Sequence, residues 1–514
     1  MRRVQWVAGC FAFAMSIGPY VAGCFSKSED CEANLNCGQP GGPGVSASSS
    51  TGGGGGGPDA KCVPSANSGS VGDDCGVFVE LGGDDAKDGT KSSPVKSLAK
   101  AIEMAQKGGG AVYACAQVFP EVVEIPAGVS FFGGLDCQGD WGYMADKKTT
   151  IEGSPDGIPL RVVKGAGSVL VEDVLVKAAD SMVPGGSSIA AVVDGATVQF
   201  TRCEFIAGNG MAGDKGATPM EPVGPTDSND PAIRGGNGSN ACLGGASGNA
   251  GADGAINTLC SVSFGGKGGA GGLSALAGEP GTNGEPAGEL NKGLGGAGDP
   301  GTGCDVGGGG QAGTPGMPGP GATALGTISA SGFIGALGDP GSPGGPGQGG
   351  GGGGGAKGKV GCNGASGGGG GSGGCGGGGG LGGLGGGSSI ALLSINATIT
   401  FEEVTIRSGN GGIGGEGGDG QPGGLGGFGG SGGLGMGTNP ACDGGKGGFG
   451  GLGGKGGGGR GGHSIGIAFT GKAPPKPTKF TPGTPGAGGL GADMTTDGAP
   501  GEAQETLEIP TAMP

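Results

Sequence analysis

The chain has 514 residues, of which 147 are glycine and 34 are proline, and only 4% are aromatic. This composition excludes a large conventional hydrophobic core, except where short stretches concentrate valine, isoleucine, leucine and phenylalanine. The formal net charge of −16, without any basic stripe, argues against nucleic acid or an anionic membrane surface as a partner.

Residues 1–23 have the pattern of a lipoprotein signal peptide, in which a basic start precedes an apolar run. The end of this run, Val21-Ala22-Gly23-Cys24, resembles a bacterial lipobox. The resemblance implies cleavage before Cys24 and attachment of lipid to its thiol, so the membrane would be a partner through the N-terminal lipid. Phe25 and Ser26 follow in place of the aspartate that marks inner-membrane retention, which implies the outer membrane or the cell surface. The alternative is an ordinary secretory signal.

Residues 24–74 form a tether rich in glycine and serine. Because an exported protein keeps its cysteines oxidised, neighbouring cysteines along the chain predict local disulfides. The predicted pairs are Cys31–Cys37, Cys62–Cys75, Cys115–Cys137, Cys242–Cys260 and Cys362–Cys375. His463 is the only histidine, and no cysteine spacing is typical of zinc, so we expect no metal site.

Residues 75–211 contain a short strand, one helix and a series of strands separated by turns. The helix is predicted at Val95–Lys107, with Ser93-Pro94 at its start and Gly108-Gly109-Gly110 as its stop. Val129, Ile151 and Val171 stand 22 and 20 residues apart, a plausible rung length for a parallel β-helix. A bridge between Cys115 and Cys137 would then staple adjacent rungs.

The order of strand, helix and short strands over residues 75–210 resembles the N-terminal cap and first rungs of the pectin-lyase-like superfamily. The resemblance implies a mostly β fold, a right-handed parallel β-helix with an N-terminal capping helix, interrupted by glycine-rich tracts. That superfamily includes lyases, hydrolases, adhesins and structural proteins, so it does not specify a function.

One unit of this pattern recurs along the chain. Ser187–Gly210 aligns without gaps with Ser388–Gly411, with ten identities in 24 positions, and His463–Phe469 is a partial third copy. Each complete copy ends in Gly-Asn-Gly and opens a glycine tract. The repeat predicts a stacked array in which residues 388–411 are a further rung and residues 463–514 are a terminal strand with a proline-rich tail. His463 aligns with Ser187 and Ser388, which favours a turn residue.

Residues 212–387 and 412–462 are dominated by glycine. Their GGxGG runs resemble those of glycine-rich PGRS-type proteins, in repeat style and without the PE domain. Every third residue from Gly411 to Gly435 is glycine, a period that matches a threefold extended helix and predicts a polyglycine-II-like bundle with two bare edges. The alternative, disorder, is strongest for residues 212–387.

The third edge of such a helix carries the side chains of the tract. These are Ile413, Glu416, Asp419, Pro422, Leu425, Phe428, Ser431 and Leu434. We expect the apolar members to cover the flank of the β-helix, or else to bind a partner.

The sequence contains no motif for catalysis or for a cofactor. No glycine motif follows a strand and opens a helix, and Gly414–Asp419 only imitates the start of a calcium-binding repeat. Candidate residues for a polysaccharide lyase or hydrolase are Asp136, Asp140, Glu152, Asp156, Glu172, Asp173, Asp194, Glu204, Arg161, Lys164 and Arg202. We interpret Glu172-Asp173 as a solvated turn.

The sequence therefore predicts a lipid-anchored structural or adhesive protein of the cell surface, without catalytic activity or cofactor. A surface glycan or a protein is the expected ligand, and nucleic acid is not expected. The alternative is a β-helix protein that binds or degrades polysaccharide.

Overall fold

The structure is a computed structural model that describes residues 59–67, 70–221, 223–243, 245–260, 262–288 and 291–511. The predicted signal peptide, the lipidated Cys24, the Cys31–Cys37 bridge and most of the tether lie outside the described residues. Within the described residues, no helix is both long and apolar enough to cross a membrane.

Most of the regular structure is β. Before the first long glycine-rich segment the elements are β1 (Gly76–Val79), α1 (Leu98–Gly108), β2 (Ala111–Cys115), β3 (Val118–Phe119), β4 (Val123–Pro126), β5 (Ser130–Asp136), β6 (Gly142–Tyr143), β7 (Thr149–Glu152), β8 (Leu160–Val163), β9 (Ser168–Glu172), β10 (Val174–Lys177), β11 (Ser188–Asp194), β12 (Thr197–Thr201) and β13 (Glu204–Ile206). The later strands are β14 (Thr327–Ser329), β15 (Gly332–Ile334), β16 (Ser389–Ile395), β17 (Thr398–Glu402), β18 (Thr405–Arg407), β19 (Ser464–Thr470), β20 (Lys479–Thr481) and β21 (Ala503–Glu508). Short 3-10 helices occupy Ala60–Cys62, Pro64–Ala66, Asp73–Cys75 and Gly245–Ser247.

Three parallel sheets account for nearly all of these strands. Sheet 1 has the order β1-β2-β5-β9-β12-β17, with the short β6 antiparallel to β5. Sheet 2 runs β3-β7-β10-β13-β18-β20, and sheet 3 runs β4-β8-β11-β16-β19-β21. From β2 to β18 the chain visits sheets 1, 2 and 3 in turn, apart from the antiparallel hairpin β14–β15. Each long glycine-rich segment leaves after a strand of sheet 2 and returns at a strand of sheet 3.

The internal repeat is confirmed as a repeat of strand pairing. Ser188 pairs with Ser389 in sheet 3, Thr197 pairs with Thr398 in sheet 1, and Ser464 pairs with Ser389 as the third copy predicts. The predicted rung length was wrong: Ile151 lies in sheet 2, whereas Val171 lies in sheet 1, where it pairs with Phe131. Turns of very different length separate the sheets, so no fixed sequence spacing describes a rung.

The helix begins three residues later than predicted. Ser97, not Ser93, caps its start, because the Ser97 hydroxyl accepts a hydrogen bond from the Lys100 backbone N–H at 3.2 Å. The Asp85 carboxylate accepts hydrogen bonds from the Ser97 N–H and hydroxyl, both at 2.8 Å, which holds the cap in place. The predicted stop is confirmed, since Gly109 ends the helix at a φ of 69°.

Among the described residues, apolar side chains form a continuous core, two clusters on outer faces of the sheets, and a small cluster within the glycine-rich segments. Alternate residues of all three sheets, together with the apolar face of α1, make up the main core. The hairpin β14–β15 covers the outer face of sheet 3, where Ile328 and Phe333 belong to the same buried apolar cluster as Ile390 and Ile465. Cys62, Val71 and Cys75 pack on the outer face of sheet 1, together with its stacked rings of Phe78, Tyr113 and Phe132.

The glycine-rich segments bind one another through backbone hydrogen bonds at every third residue. From Gly412 to Gly433, eight N–H groups donate to carbonyl oxygens from Gly387 back to Ser366 at 2.7–3.0 Å, in one unbroken antiparallel register. From Gly444 to Gly462, seven N–H groups donate to carbonyl oxygens from Gly430 back to Gly412 at 2.8–2.9 Å. Residues 338–356 pair in the same way with residues 365–383.

The bare edges follow from the closeness of these segments. A Cβ on Gly414 would overlap the carbonyl oxygen of Gly459, and a Cβ on Gly415 would overlap that of Asp214. One edge of this tract is glycine at every position, and the second edge is glycine except at Gln421, which keeps the same backbone hydrogen bond, to Gly378 at 2.9 Å.

Five cysteine pairs lie at disulfide distance, and two of them, Cys62–Cys75 and Cys115–Cys137, are as predicted. The local pairs Cys242–Cys260 and Cys362–Cys375 were wrong: Cys242 pairs with Cys362, and Cys260 pairs with Cys375. Cys304–Cys442 was not predicted. The reason is that the glycine segments fold back on each other, which brings cysteines more than 100 residues apart to Cα separations of 4.5–5.9 Å. Several disulfides indicate an exported protein.

Candidate functional site

Most of the polar residues predicted for catalysis do not converge. Asp136 and Asp140 lie at the end of sheet 1, Glu152 and Glu204 in sheet 2, and Arg161 and Asp194 in sheet 3. Several already have partners: Glu152 pairs with Lys177 at 2.8 Å, and Asp156 accepts hydrogen bonds from Ser181 and the Met182 N–H. Lys164 is exposed. No pair of free carboxylates flanks a cleft in this set.

Glu172, Asp173 and Arg202 do come together, at the corner between sheets 1 and 2. The interpretation of Glu172-Asp173 as a solvated turn was wrong, since the two residues are only 6% and 2% exposed. Arg202 binds Asp173 through two nitrogens at 2.8 and 3.0 Å and Glu172 at 2.8 Å. Stacking of β9 on β12 brings these corners together, because Thr201 pairs with Glu172 just before each turn.

This cluster is a buried ion-pair network in which Arg202 already binds both carboxylates. Burial alone would lower the pKa of Arg202, but the hydrogen bonds and negative charges of Asp173 and Glu172 outweigh it and raise that pKa. Burial, assisted by the charge of Asp173, raises the pKa of the Tyr143 hydroxyl beside it. A permanently charged guanidinium that already binds two carboxylates cannot accept a proton from a substrate. The arrangement therefore supports stability better than acid–base catalysis.

Polar ladders fix the points where glycine tracts leave and re-enter the sheets. At the exits, the Asp180 carboxylate accepts the Asn209 N–H at 2.6 Å, and the amide oxygens of Asn209 and Asn410 accept the N–H groups of Asn410 and Thr484, each at 2.8 Å. At the re-entries, the Ser187 hydroxyl accepts the Ser388 N–H and the Ser388 hydroxyl accepts the His463 N–H. The repeated Gly-Asn-Gly and Ser-Ser sequences were the signal for this ladder.

His463 belongs to this ladder and is not an ordinary turn residue, because it is only 1% exposed. Its Nε2 donates to the Leu325 carbonyl at 2.9 Å, while its Nδ1 accepts the Glu502 N–H at 3.0 Å. Burial, and secondarily the positive charge of Arg460, lower the pKa of this imidazole below 6.5. The neutral ring thus joins three segments of the chain.

The third-edge side chains of residues 411–435 face solvent. Ile413 and Leu434 are 58% and 64% exposed, so the expectation that they cover a flank of the sheets was wrong. The two glycine edges contact neighbouring tracts, so the third edge points outward. Asp419 pairs with Lys215 at 2.7 Å, which occupies the carboxylate considered for calcium.

One group of side chains in the described residues is close enough to share a metal ion, namely Glu80, Cys115 and Cys137. Both cysteines are consumed by their mutual disulfide, so neither supplies a thiolate ligand. The donor set therefore does not suit a metal ion.

Comparison with known proteins does not identify a family for this chain. No protein-family model matches the sequence, and no curated protein matches it. A rhamnogalacturonan lyase structure is similar at 12% identity, with a TM-score of 0.12, over 28% of this chain. The chain spans about half, 48%, of the length of that structure. A TM-score this low does not indicate a shared fold.

Proposed function

We propose that the protein is a lipid-anchored structural or interaction protein of the cell surface that has no catalytic activity. In this proposal the three sheets coil as a right-handed parallel β-helix, and the glycine tracts form a polyglycine-II-like bundle beside it, in the repeat style of PGRS-type proteins. The observation that carries the proposal is the unbroken lateral hydrogen bonding of the tracts, with third-edge side chains held outward. Such a bundle presents a fixed surface and requires no bound cofactor.

Three features support a display role over catalysis. The ladders and disulfides fix the bundle at its junctions and in its loops, so its surface is preorganised. Arg202 and its carboxylates saturate one another. The remaining catalytic candidates are divided among three sheets.

The anchor is tested by changing Cys24→Ala in the full-length chain and fractionating cells. Loss of the predicted lipid should release the protein from the membrane fraction into the soluble exported fraction. Ser26→Ala, two residues on, is the matched control and should stay with membranes. Continued sedimentation of the Cys24→Ala protein with membranes would contradict the anchor.

A second candidate is a protein that binds or degrades polysaccharide. It is favoured by the outer face of sheet 1, where Gln199 and Thr400 pair on neighbouring exposed strand positions. Incubation with pectins, alginates and other acidic glycans should release no reducing ends or unsaturated products. Turnover that disappears on changing Asp136 or Arg161 would establish the enzyme and overturn the first proposal.

A further inference from the structure

Two antiparallel glycine tracts place their third-edge side chains side by side on one exposed face. We define this face, the paired-tract face, by Asp419, Pro422, Leu425, Phe428 and Ser431 on one tract and Lys455, Leu452, Phe449, Lys446 and Asp443 on the other. The register of the hydrogen bonds between Gly444–Gly462 and Gly412–Gly430 sets each residue of the first series opposite the corresponding residue of the second.

Contacts between side chains confirm this register. The Lys446 ammonium lies 4.7 Å from the centre of the Phe428 ring and 5.0 Å from that of Phe449. At the other end, Lys455 contributes to the lowered pKa of Asp419, after the hydrogen bond and charge of Lys215.

The middle of the face is apolar and open. Phe428, Phe449 and Leu452 are 40%, 49% and 52% exposed. Exposed aromatic rings on a preorganised backbone are typical of the centre of a binding surface. The side chains cannot retreat inward, because the positions beneath them are glycines in contact with neighbouring tracts.

We propose that the paired-tract face is the site at which two copies of this chain associate, related by a twofold axis parallel to the tracts. Such an axis exchanges the two tracts. It sets Asp419 against Lys455 of the second copy, Leu425 against Phe449, and Phe428 against Lys446. In a twofold interface the same surface of both copies meets itself, so each residue needs a complementary residue on that surface. The paired-tract face meets this requirement.

Charge and size both favour a second copy. The face carries two aspartates and two lysines, so an anionic lipid surface would repel as much as it attracts, whereas a copy of the face satisfies both signs. From Asp419 to Ser431 the face is about 37 Å long at 3.1 Å per residue. With a width of two tracts and their flanks it covers on the order of 700 Å² per copy, close to the about 800 Å² of a standard interface.

The paired-tract face is part of the surface that the proposed function presents, so association through it rests on the packed bundle of that proposal. Association does not depend on the lipid anchor or on the absence of catalysis.

A charge exchange between copies tests the pairing. In analytical ultracentrifugation, the full-length exported chain is expected to sediment as a dimer at protein concentrations that reach about 100 µM. Asp419→Lys and Lys455→Asp should each be monomeric, because each variant opposes like charges twice. Mixed in equal amounts, the two variants should form a heterodimer, since each now carries the complement of the other.

Mixing can restore contacts between copies, but it cannot restore contacts that a substitution breaks within one chain. A dimer that forms on mixing therefore shows that the substituted residues meet between copies. A monomeric wild-type protein would overturn the proposal. So would a mixture that stays monomeric although both variants keep the wild-type unfolding midpoint.

A second pair of variants tests the apolar centre. Phe428→Ser with Phe449→Ser should weaken association at least tenfold, whereas the control Met182→Ser with Val183→Ser removes side chains 71% and 54% exposed elsewhere and should not. Equal dimer affinity of both variants would overturn the proposal. A monomer that instead binds phosphatidylcholine vesicles through Phe428 and Phe449 would assign the face to lipid.

Discussion

Arg202 stabilises two carboxylates that are almost fully withdrawn from water. Its own side chain is 25% exposed, whereas those of Glu172 and Asp173 are 8% and 3% exposed. Removal of one member of a buried ion pair leaves an uncompensated charge, which costs more than the pair itself contributes.

We therefore expect Arg202→Ala to lower the free energy of unfolding by about 3 kcal/mol, measured by denaturant titration. The control is Lys177→Ala, which breaks an exposed pair with Glu152 and should cost less than about 1 kcal/mol. Equal losses in the two variants would mean that the cluster at Arg202 is as solvated as a surface ion pair.

His463 should make the stability of the fold depend on pH. Because burial lowers the pKa of the folded imidazole below 6.5, the unfolded chain binds the proton first as the pH falls. The unfolded state then holds more protons, so stability present above pH 6.5 is lost below it, by at most about 1.4 kcal/mol per pH unit. Protonation of Nδ1 would also break the hydrogen bond that this nitrogen accepts from the Glu502 N–H.

The measurement is the unfolding midpoint at several pH values below 6.5, compared with His463→Gln, which does not titrate. The charged groups around the ring are Arg460 and Glu502, and both are present in the variant. If the two proteins lose stability in parallel, the pH dependence belongs to carboxylates elsewhere.

At the scale of elements, register is the property that matters for the glycine tracts. Gly423 lies in the tract from Gly411 to Gly435, which donates to residues 366–387 and accepts from residues 444–462. An insertion that is not a multiple of three rotates every later side chain onto a different edge of the threefold strand.

One alanine inserted after Gly423 should therefore turn Leu425, Phe428 and Leu434 into the neighbouring tracts and abolish protease resistance of the bundle. A Gly-Gly-Ser insertion at the same point keeps the edges aligned and lengthens the tract by about 9 Å, so it should be tolerated. The measurement is limited proteolysis of both proteins followed by mass spectrometry. Equal cleavage would contradict a packed bundle, since a loose tether does not distinguish the two insertions.

For the whole molecule, three disulfides join distant parts of the glycine-rich region. Cys242–Cys362, Cys260–Cys375 and Cys304–Cys442 close loops with sequence separations of 120, 115 and 138 residues. Long loops restrict the unfolded chain strongly, so these bridges should contribute more than the Cys62–Cys75 bridge, whose separation is 13.

We expect Cys304→Ser with Cys442→Ser to destabilise the protein by about 5 kcal/mol, and Cys62→Ser with Cys75→Ser by about 3 kcal/mol. Thermal unfolding measures both, and alkylation before and after reduction counts the bridges. Cys203 should stay unmodified until unfolding, because it is buried and burial raises the pKa of its thiol to about 12. Alkylation of the ten paired cysteines without reductant would contradict the disulfides and the export that they indicate.

The sequence by itself determined the local rules of this protein. In the tract from Gly411 to Gly435, the three-residue glycine pattern leaves two edges of the strand almost without Cβ atoms, as at Gly414 and Gly415. Alternating apolar residues and the repeat of Ser187–Gly210 at Ser388–Gly411 determined the strand pairs, because strands of similar sequence stack in register. The bridges Cys62–Cys75 and Cys115–Cys137 were predictable because their partners lie in the same or neighbouring elements.

Only the tertiary structure decided which tract lies against which. Glycine tracts resemble one another, so their sequences express no preference for a partner, and the exit and re-entry points at Asn209, Asn410 and the serines set the register instead. That register paired Cys242 with Cys362 and set Phe428 beside Lys446. Burial of Glu172 and Asp173 was likewise hidden, because the covering segment and Arg202 come from other parts of the chain. Such contacts depend on how distant segments converge, which no local pattern encodes.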